Sequence, residues 1–179
     1  KIALLEQKAD KERADEDTLR DLQEQYANLG KEQRLLREDE IRALPQRTQI
    51  TRHDCVEGWS AIGQWTGPQL GPILDCAGLL PDARFILFRC ADQLGGAPYY
   101  ESCDLPDAFH PQTIIAHRLN GAALPVKNGA PLRLRLERQL GYKHAKYIRR
   151  IEVVDSFAGI GRGKGGYWED RGYEWYAGI

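Results

Sequence analysis

Apolar positions follow two different periods along the chain. Ile2, Leu5 and Ala9, then Leu19, Leu22, Tyr26 and Leu29, recur at three- to four-residue spacing with charges between them, the stripe of an amphipathic helix or helical pair. Acidic residues 15–17 ahead of Thr18 can cap the second helix and Gly30 can stop it. Residues 35–44 read as a short third helix broken ahead of Pro45. Beyond Pro45 the period shortens. Residues 48–52 are polar and β-prone, and residues 83–88 form a strand bounded by Pro81-Asp82. Leu132, Leu134 and Leu136 alternate with Arg133, Arg135 and Glu137, which predicts a strand with one buried face and one polar face.

The connections are also legible. Leu70, Ile73, Leu74 and Ala77 make a short helical stripe ended by Gly78, and residues 105–108 suit a single helical turn. Residues 99–100, 114–119, 147–148 and 151–154 are further short extended or apolar pieces. Asn120-Gly121 and Asn128-Gly129-Ala130-Pro131 are tight-turn signals. His53-Asp54-Cys55-Val56-Glu57-Gly58-Trp59-Ser60 and the following Gly63-Gln64-Trp65-Thr66-Gly67-Pro68 read as an ordered loop after a strand. The segment from Asp155 holds seven glycines among repeated aromatic residues, so it predicts neither regular helix nor central strand and is expected to wrap over the domain or a partner. Several short strands with ordered connections point to a mixed α+β domain rather than a Rossmann fold.

Composition divides the chain. Residues 1–44 carry 21 of the 51 charged residues but one of the 18 glycines, a charged helical arm or a divergent front segment. Residues 45–179 hold the other 17 glycines and all four tryptophans, and form the functional body. The whole, 179 residues, matches one domain with a small appendage. Net charge is −1, with no zinc-finger spacing and no basic recognition helix, which argues against nucleic-acid binding and makes any anion site local. No run approaches eighteen apolar residues, so neither a transmembrane span nor a secretory signal is expected within these residues. Methionine is absent even at position 1, which points to a processed or truncated segment.

Cys55 is the leading candidate for chemistry, because it follows a polar strand among His53, Asp54, Glu57 and Trp59. Its thiolate suits a soft metal ligand or a nucleophile, with a structural cysteine as the bland alternative. Cys90 ends the apolar strand at 83–88, Cys76 on the short helix is expected in the core, and Cys103 has no assigned role. Four cysteines without close CxxC pairing suit neither a zinc site nor a disulfide scaffold. Arg133, Lys143, His144 and Lys146, with Gly141 permitting close backbone approach, can hold a phosphate or can be a solvated strand edge. Arg162-Gly163-Lys164-Gly165 fails the nucleotide-loop pattern, because glycine follows Lys164 where Ser or Thr belongs.

These pieces resemble the sulfite oxidase-like molybdopterin-dependent oxidoreductases, in particular the bacterial methionine-sulfoxide reductase branch, over about residues 38–179. The similarity is carried by Thr51-Arg52-His53-Asp54-Cys55-Val56-Glu57-Gly58-Trp59-Ser60, Trp65-Thr66-Gly67, Asn128-Gly129-Ala130-Pro131-Leu132-Arg133 and Gly141-Tyr142-Lys143-His144-Ala145-Lys146, in that order. The resemblance implies that Cys55 is the protein thiolate on a molybdenum-molybdopterin cofactor. It also implies that Asn128 and Arg133 contact the pterin, and that His144, Ala145 and Lys146 approach its phosphate. Cys90 aligns with a position near the metal and pterin and is expected as a pocket wall. Arg52, His53 and Tyr99 are candidates for orienting a small substrate. The implied chemistry is two-electron oxygen-atom transfer on a sulfoxide or oxyanion, with a haem-containing membrane subunit as redox partner and a periplasmic location. The front departs from the pattern: residues 1–37 lack the family's Asn-aromatic motif and strand-rich lead-in. That keeps two alternatives open, a non-catalytic subunit or scaffold contacting a partner chain through residues 1–44 or the aromatic tail, and a cysteine hydrolase using Cys55 and His53.

Overall fold

The computed structural model describes residues 38–179. The helices expected from Ile2 to Leu29 lie outside them. The expected third helix is present at its end as α1 (Glu38–Ala43), just ahead of Pro45. Its Ile41 is fully buried, and Arg42 meets His117 Nδ1 at 3.0 Å.

Two hairpins dominate the rest. β1 (Gln46–Asp54) and β2 (Ser60–Pro68) pair antiparallel from Gln46↔Pro68 to Asp54↔Ser60. The expected ordered loop is therefore confined to residues 55–59, and Gly63 to Pro68 is strand. Glycine in β2 marks close approach rather than a turn: a Cβ on Gly67 would collide with the backbone of Ile115. β3 (Phe85–Leu94) and β4 (Ala97–Asp104) turn at Gly95 and Gly96, both with positive φ. Between the hairpins, α2 (Leu70–Ala77) buries Leu70, Ile73 and Leu74. After β4, α3 (Leu105–Ala108) is capped by Asp104, whose side chain accepts from the Asp107 N–H.

Short pieces complete three antiparallel sheets. β5 (Ile114–Ala116) pairs with β8 (Arg133–Arg135), β6 (Arg118–Leu119) and β7 (Ala122–Ala123) extend the first hairpin, and β9 (Ile148–Val154) flanks β3. Ile148–Val154 thus make one strand rather than two, with Tyr147 just ahead of it at φ 52°. The main core joins α2, β3, β8 and β9 through Leu70, Leu74, Ile86, Phe88, Leu134 and Ile151. Burial of such side chains contributes roughly 1.5–3 kcal/mol each. The outcome is the expected mixed α+β fold.

Two expectations fail. β8 is buried on both faces, with Arg133 and Arg135 buried like Leu134 between them; the charged face turns inward because partners wait there. Cys76 is exposed, since it falls off the α2 stripe defined by Leu70, Ile73 and Leu74.

The segment after β9 does wrap over the domain. Phe157 and Trp175 pack on Phe85, the Trp175 indole N–H donates to Ser102 Oγ at 2.9 Å, and the Tyr167 hydroxyl donates to the Leu94 carbonyl at 2.8 Å. Gly161 and Gly163 adopt positive φ, and the amides of Arg162 and Lys164 donate to the Asp170 carboxylate at 2.9 and 3.3 Å. The glycine-rich loop thereby closes on a carboxylate of its own chain.

Candidate active site

A cleft of about 480 Å³ opens where the β1–β2 turn, the 126–129 turn, β8 and the 141–146 segment meet. Cys55, His53, Asn128, Arg133 and Lys146 all line it, with Trp168 and Tyr173 contributed by the tail. Four segments far apart in sequence therefore supply one surface.

The β1–β2 turn presents Cys55 by backbone bonding. Its N–H donates to the Trp59 carbonyl and its carbonyl accepts from Gly58, each at 2.9 Å, while Gly58 takes φ 90°. The half-buried thiol lies 3.9 Å from Glu57 Oε2, and that carboxylate also accepts from the Trp59 indole at 3.0 Å. Among the described residues no three His, Cys, Asp or Glu side chains converge on a metal position.

The basic end is built by close packing. Gly129, at φ 110°, leaves room for Lys146, whose Cβ would otherwise be 2.9 Å from a new methyl group. Lys146 Nζ donates to the Lys127 carbonyl at 3.1 Å, and Arg133 Nη1 donates to the Asn128 carbonyl at 3.0 Å. Arg133 and Arg135 lie over the Trp65 ring at 5.0 and 4.4 Å. Burial and the neighbouring Arg135 bring the Arg133 guanidinium down to about 10, and burial with Arg133 lowers the Lys146 ammonium. Cations that depress each other in a cleft mark a place where an anion is favoured. Arg133 Nε and Trp65 Nε1 are buried without hydrogen-bond partners. Two orphaned donors beside a cluster of cations fit the phosphate and polar ring of a pterin cofactor, and the thiolate chemistry of Cys55 fits its metal.

His53 stands between the two ends. Its Nδ1 receives the Arg135 Nη1 donor at 3.0 Å, and burial, then Arg133, Arg135 and Lys146, lower its pKa to about 4. Its ring meets His144 edge-on at 4.9 Å.

The other residues singled out in the sequence sit elsewhere. His144 is buried behind His53 and bonds the Gln139 carbonyl at 3.0 Å; Ala145 is in the core. Cys90 is also in the core rather than among the cleft-lining residues, and burial pushes its thiol well above the usual range. The Tyr99 hydroxyl donates to the Tyr142 carbonyl at 2.9 Å, and Tyr99 is outside the lining. Arg52 points to a separate shallow depression with Asp54, to which it is paired at 2.9 Å. Cys55 and His53 share no hydrogen bond: the thiol's partner is Glu57 Oε2, and that of His53 Nδ1 is Arg135. Arg135 and Trp65 were missed as cleft-building residues. The arginine stood in the alternation assigned to solvent, and its one signal was Glu137 two positions on.

A family model described as an oxidoreductase molybdopterin binding domain matches residues 25–158, and the chain belongs to that family. It is 46% identical over 140 residues to a putative protein-methionine-sulfoxide reductase subunit YedZ1 of Azospira oryzae, covering 78% of this chain and 49% of the relative. Against the protein-methionine-sulfoxide reductase catalytic subunit MsrP of Xanthomonas axonopodis pv. citri it is 36% identical over 125 residues, 64% of this chain and 39% of that protein. The chain thus spans half or less of these relatives. The sulfane dehydrogenase SoxCD of Paracoccus pantotrophus shares the fold, with a TM-score of 0.58 at 20% identity, covering 65% of this chain and 34% of that one.

Proposed function

We propose that this chain carries the site of a molybdenum-molybdopterin oxidoreductase, with Cys55 as the protein's thiolate ligand. Asn128 and Arg133 hold the pterin, and Lys146 is the charge partner of its phosphate. The single observation behind this reading is that Cys55, Asn128, Arg133 and Lys146 share one cleft in which buried donors of Arg133 and Trp65 lack partners. When bound, the cofactor supplies two-electron oxygen-atom transfer, the chemistry that a small sulfoxide or oxyanion requires.

The residues of the chain have separable tasks. Cys55 is held outward by the 55–59 turn, so its sulfur can bond a metal without breaking a packed core. Lys146 and Arg133 offset anionic charge at the far end, and His53, neutral beside them, offers a hydrogen bond without adding charge. His144 and Ala145 set the backbone course that delivers Lys146. Cys90, Tyr99 and Arg52 have no direct part in this reading. A haem-containing membrane subunit as electron partner and a periplasmic location follow from the likeness to the methionine-sulfoxide reductase systems and belong to the same proposal.

A scaffold reading has one observation in its favour: the chain spans half or less of its curated relatives, and the cleft built by the described residues is open. Metal and pterin analysis with an intact mass, on protein from a molybdenum-competent host, separates the two. Near-stoichiometric molybdenum with pterin is expected. Pterin-free, metal-free protein would overturn the enzyme assignment.

A further inference from the structure

We infer that Arg135 fixes His53 in the tautomer that carries its proton on Nε2, making His53 a neutral hydrogen-bond donor to a substrate oxygen in the Cys55 cleft. The inference rests on the function proposed above and assigns one residue a role in substrate positioning and another a role in setting it.

Arg135 is fully buried on β8. Its guanidinium is held on three sides: Nε and Nη2 donate to the two oxygens of Glu137 at 2.8 and 2.7 Å, and Nη2 also reaches Thr51 Oγ1 at 3.3 Å. Glu137 is itself held, since Gln49 Nε2 donates to it at 3.0 Å. Trp65 packs below the guanidinium plane at 4.4 Å. The remaining nitrogen, Nη1, lies 3.0 Å from His53 Nδ1.

A guanidinium has donors and no acceptor. Nδ1 must therefore present its lone pair, and the neutral ring must carry its hydrogen on Nε2. Among the described residues Nε2 has no protein partner, yet it is not one of the buried unsatisfied atoms, and His53 lines the cleft. Trp59 and the edge of His144 set the ring plane. Gly141 packs against the ring, where a Cβ would come within 2.5 Å of Nε2, so the missing side chain is what lets His53 take this position. The donor is aimed by packing that the cofactor need not supply.

The chemistry such a donor recognises is an oxygen acceptor with a polarised or negative oxygen, a sulfoxide or an oxyanion. Arg135 touches neither substrate nor cofactor in this scheme and is a positioning residue.

Two-bond proton-nitrogen spectra of the cofactor-free protein read the tautomer directly. A single Nε2-protonated His53 ring is expected in the unmodified chain, and a mixture in Arg135→Lys, which retains charge but loses the fork. An Nδ1-protonated or mixed ring in the unmodified chain would overturn the inference, whether or not the lysine variant folds. In the loaded enzyme His53→Met should lower kcat/KM about tenfold, the worth of one hydrogen bond, with molybdenum and pterin content unchanged. His53→Gln, whose amide reaches the Nε2 position as a donor, should stay within about threefold. Unchanged kcat/KM in His53→Met, or loss of pterin in its place, also overturns it. Protein that takes up no molybdenum removes the proposed function and the substrate donor with it, while the spectrum still reports the Arg135 contact.

Discussion

Lys143 Nζ lies 2.5 Å from Glu101 Oε1, with both side chains sealed from solvent, and Glu169 from the tail is at the same distance on the other side. One cation faces two carboxylates. Burial pushes the Glu101 carboxyl well above its usual range, Lys143 opposes this, and Glu169 adds to it. Burial and the second carboxyl group favour the neutral form of Glu101 and Lys143 favours the charged one, and the Oε2 atoms of Glu101 and Glu169 are both buried without a hydrogen-bond partner. For Lys143, burial works to lower the pKa, but Glu101 and Glu169 outweigh it.

Removing the cation should therefore cost far more than neutralising one acid. Lys143→Met leaves two buried carboxyl groups without their partner and should lose about 3–5 kcal/mol in urea unfolding. Glu101→Gln keeps the shape and removes one of two neighbouring acids, so it should lose about 1 kcal/mol. Equal losses would show that the ammonium matters no more than a single carboxyl group.

Acid should weaken the fold through its buried imidazoles. Burial, then Arg133, Arg135 and Lys146, hold His53 near 4; burial, then Arg135, His53 and Arg133, hold His144 well below the usual value. Between the lowered folded pKa and the unfolded value of 6.5 the unfolded chain binds the extra proton, so stability rises with pH through that window and is lost on acidification. At full value the His53 shift is worth about 3 kcal/mol, and its partial exposure reduces that. Glu101 contributes in the opposite direction, its share being lost as pH rises through its folded value. Comparing unfolding of the unmodified chain and His53→Gln at pH 5 and 7 isolates the histidine: the variant should lose less on acidification.

Cys55→Ser should abolish oxygen-atom transfer while leaving the apoprotein's unfolding midpoint within about 0.5 kcal/mol, since the residue sits on a turn held by backbone bonds. Circular dichroism melting alongside dye-coupled turnover checks both halves. Turnover surviving in this variant would end the thiolate assignment.

Lys146→Ala should release pterin before it alters the metal centre, read as falling pterin content in dialysed protein with the spectrum of the retained fraction unchanged. A variant that holds its pterin as firmly as the parent removes Lys146 from the phosphate site.

Much of this arrangement is visible in the residues themselves. The α2 stripe, the Asp104-capped turn and the Asn120-Gly121 hairpin follow local rules. The β1–β2 hairpin is obscured because Gly63, Gly67 and Pro68 punctuate it like a loop, and the need for Gly67 arises from the backbone of Ile115, remote in sequence. The charged face of β8 misleads for a related reason. Alternation says which residues share a face but not what covers it, and Glu137, Thr51 and His53 cover this one. Motif order singles out Cys55, and the structure places it on the cleft wall. It does not single out Arg135, because its use depends on a contact 82 positions away.

The family match stops at residue 158, but the molecule does not end its work there. Glu169 neutralises an interior ammonium, and Trp168 and Tyr173 wall the cleft. A chain trimmed to the matched segment would strand that ammonium and unroof the cavity, so the last twenty-one residues behave as an integral clasp, and a clipped version is a different molecule to assay.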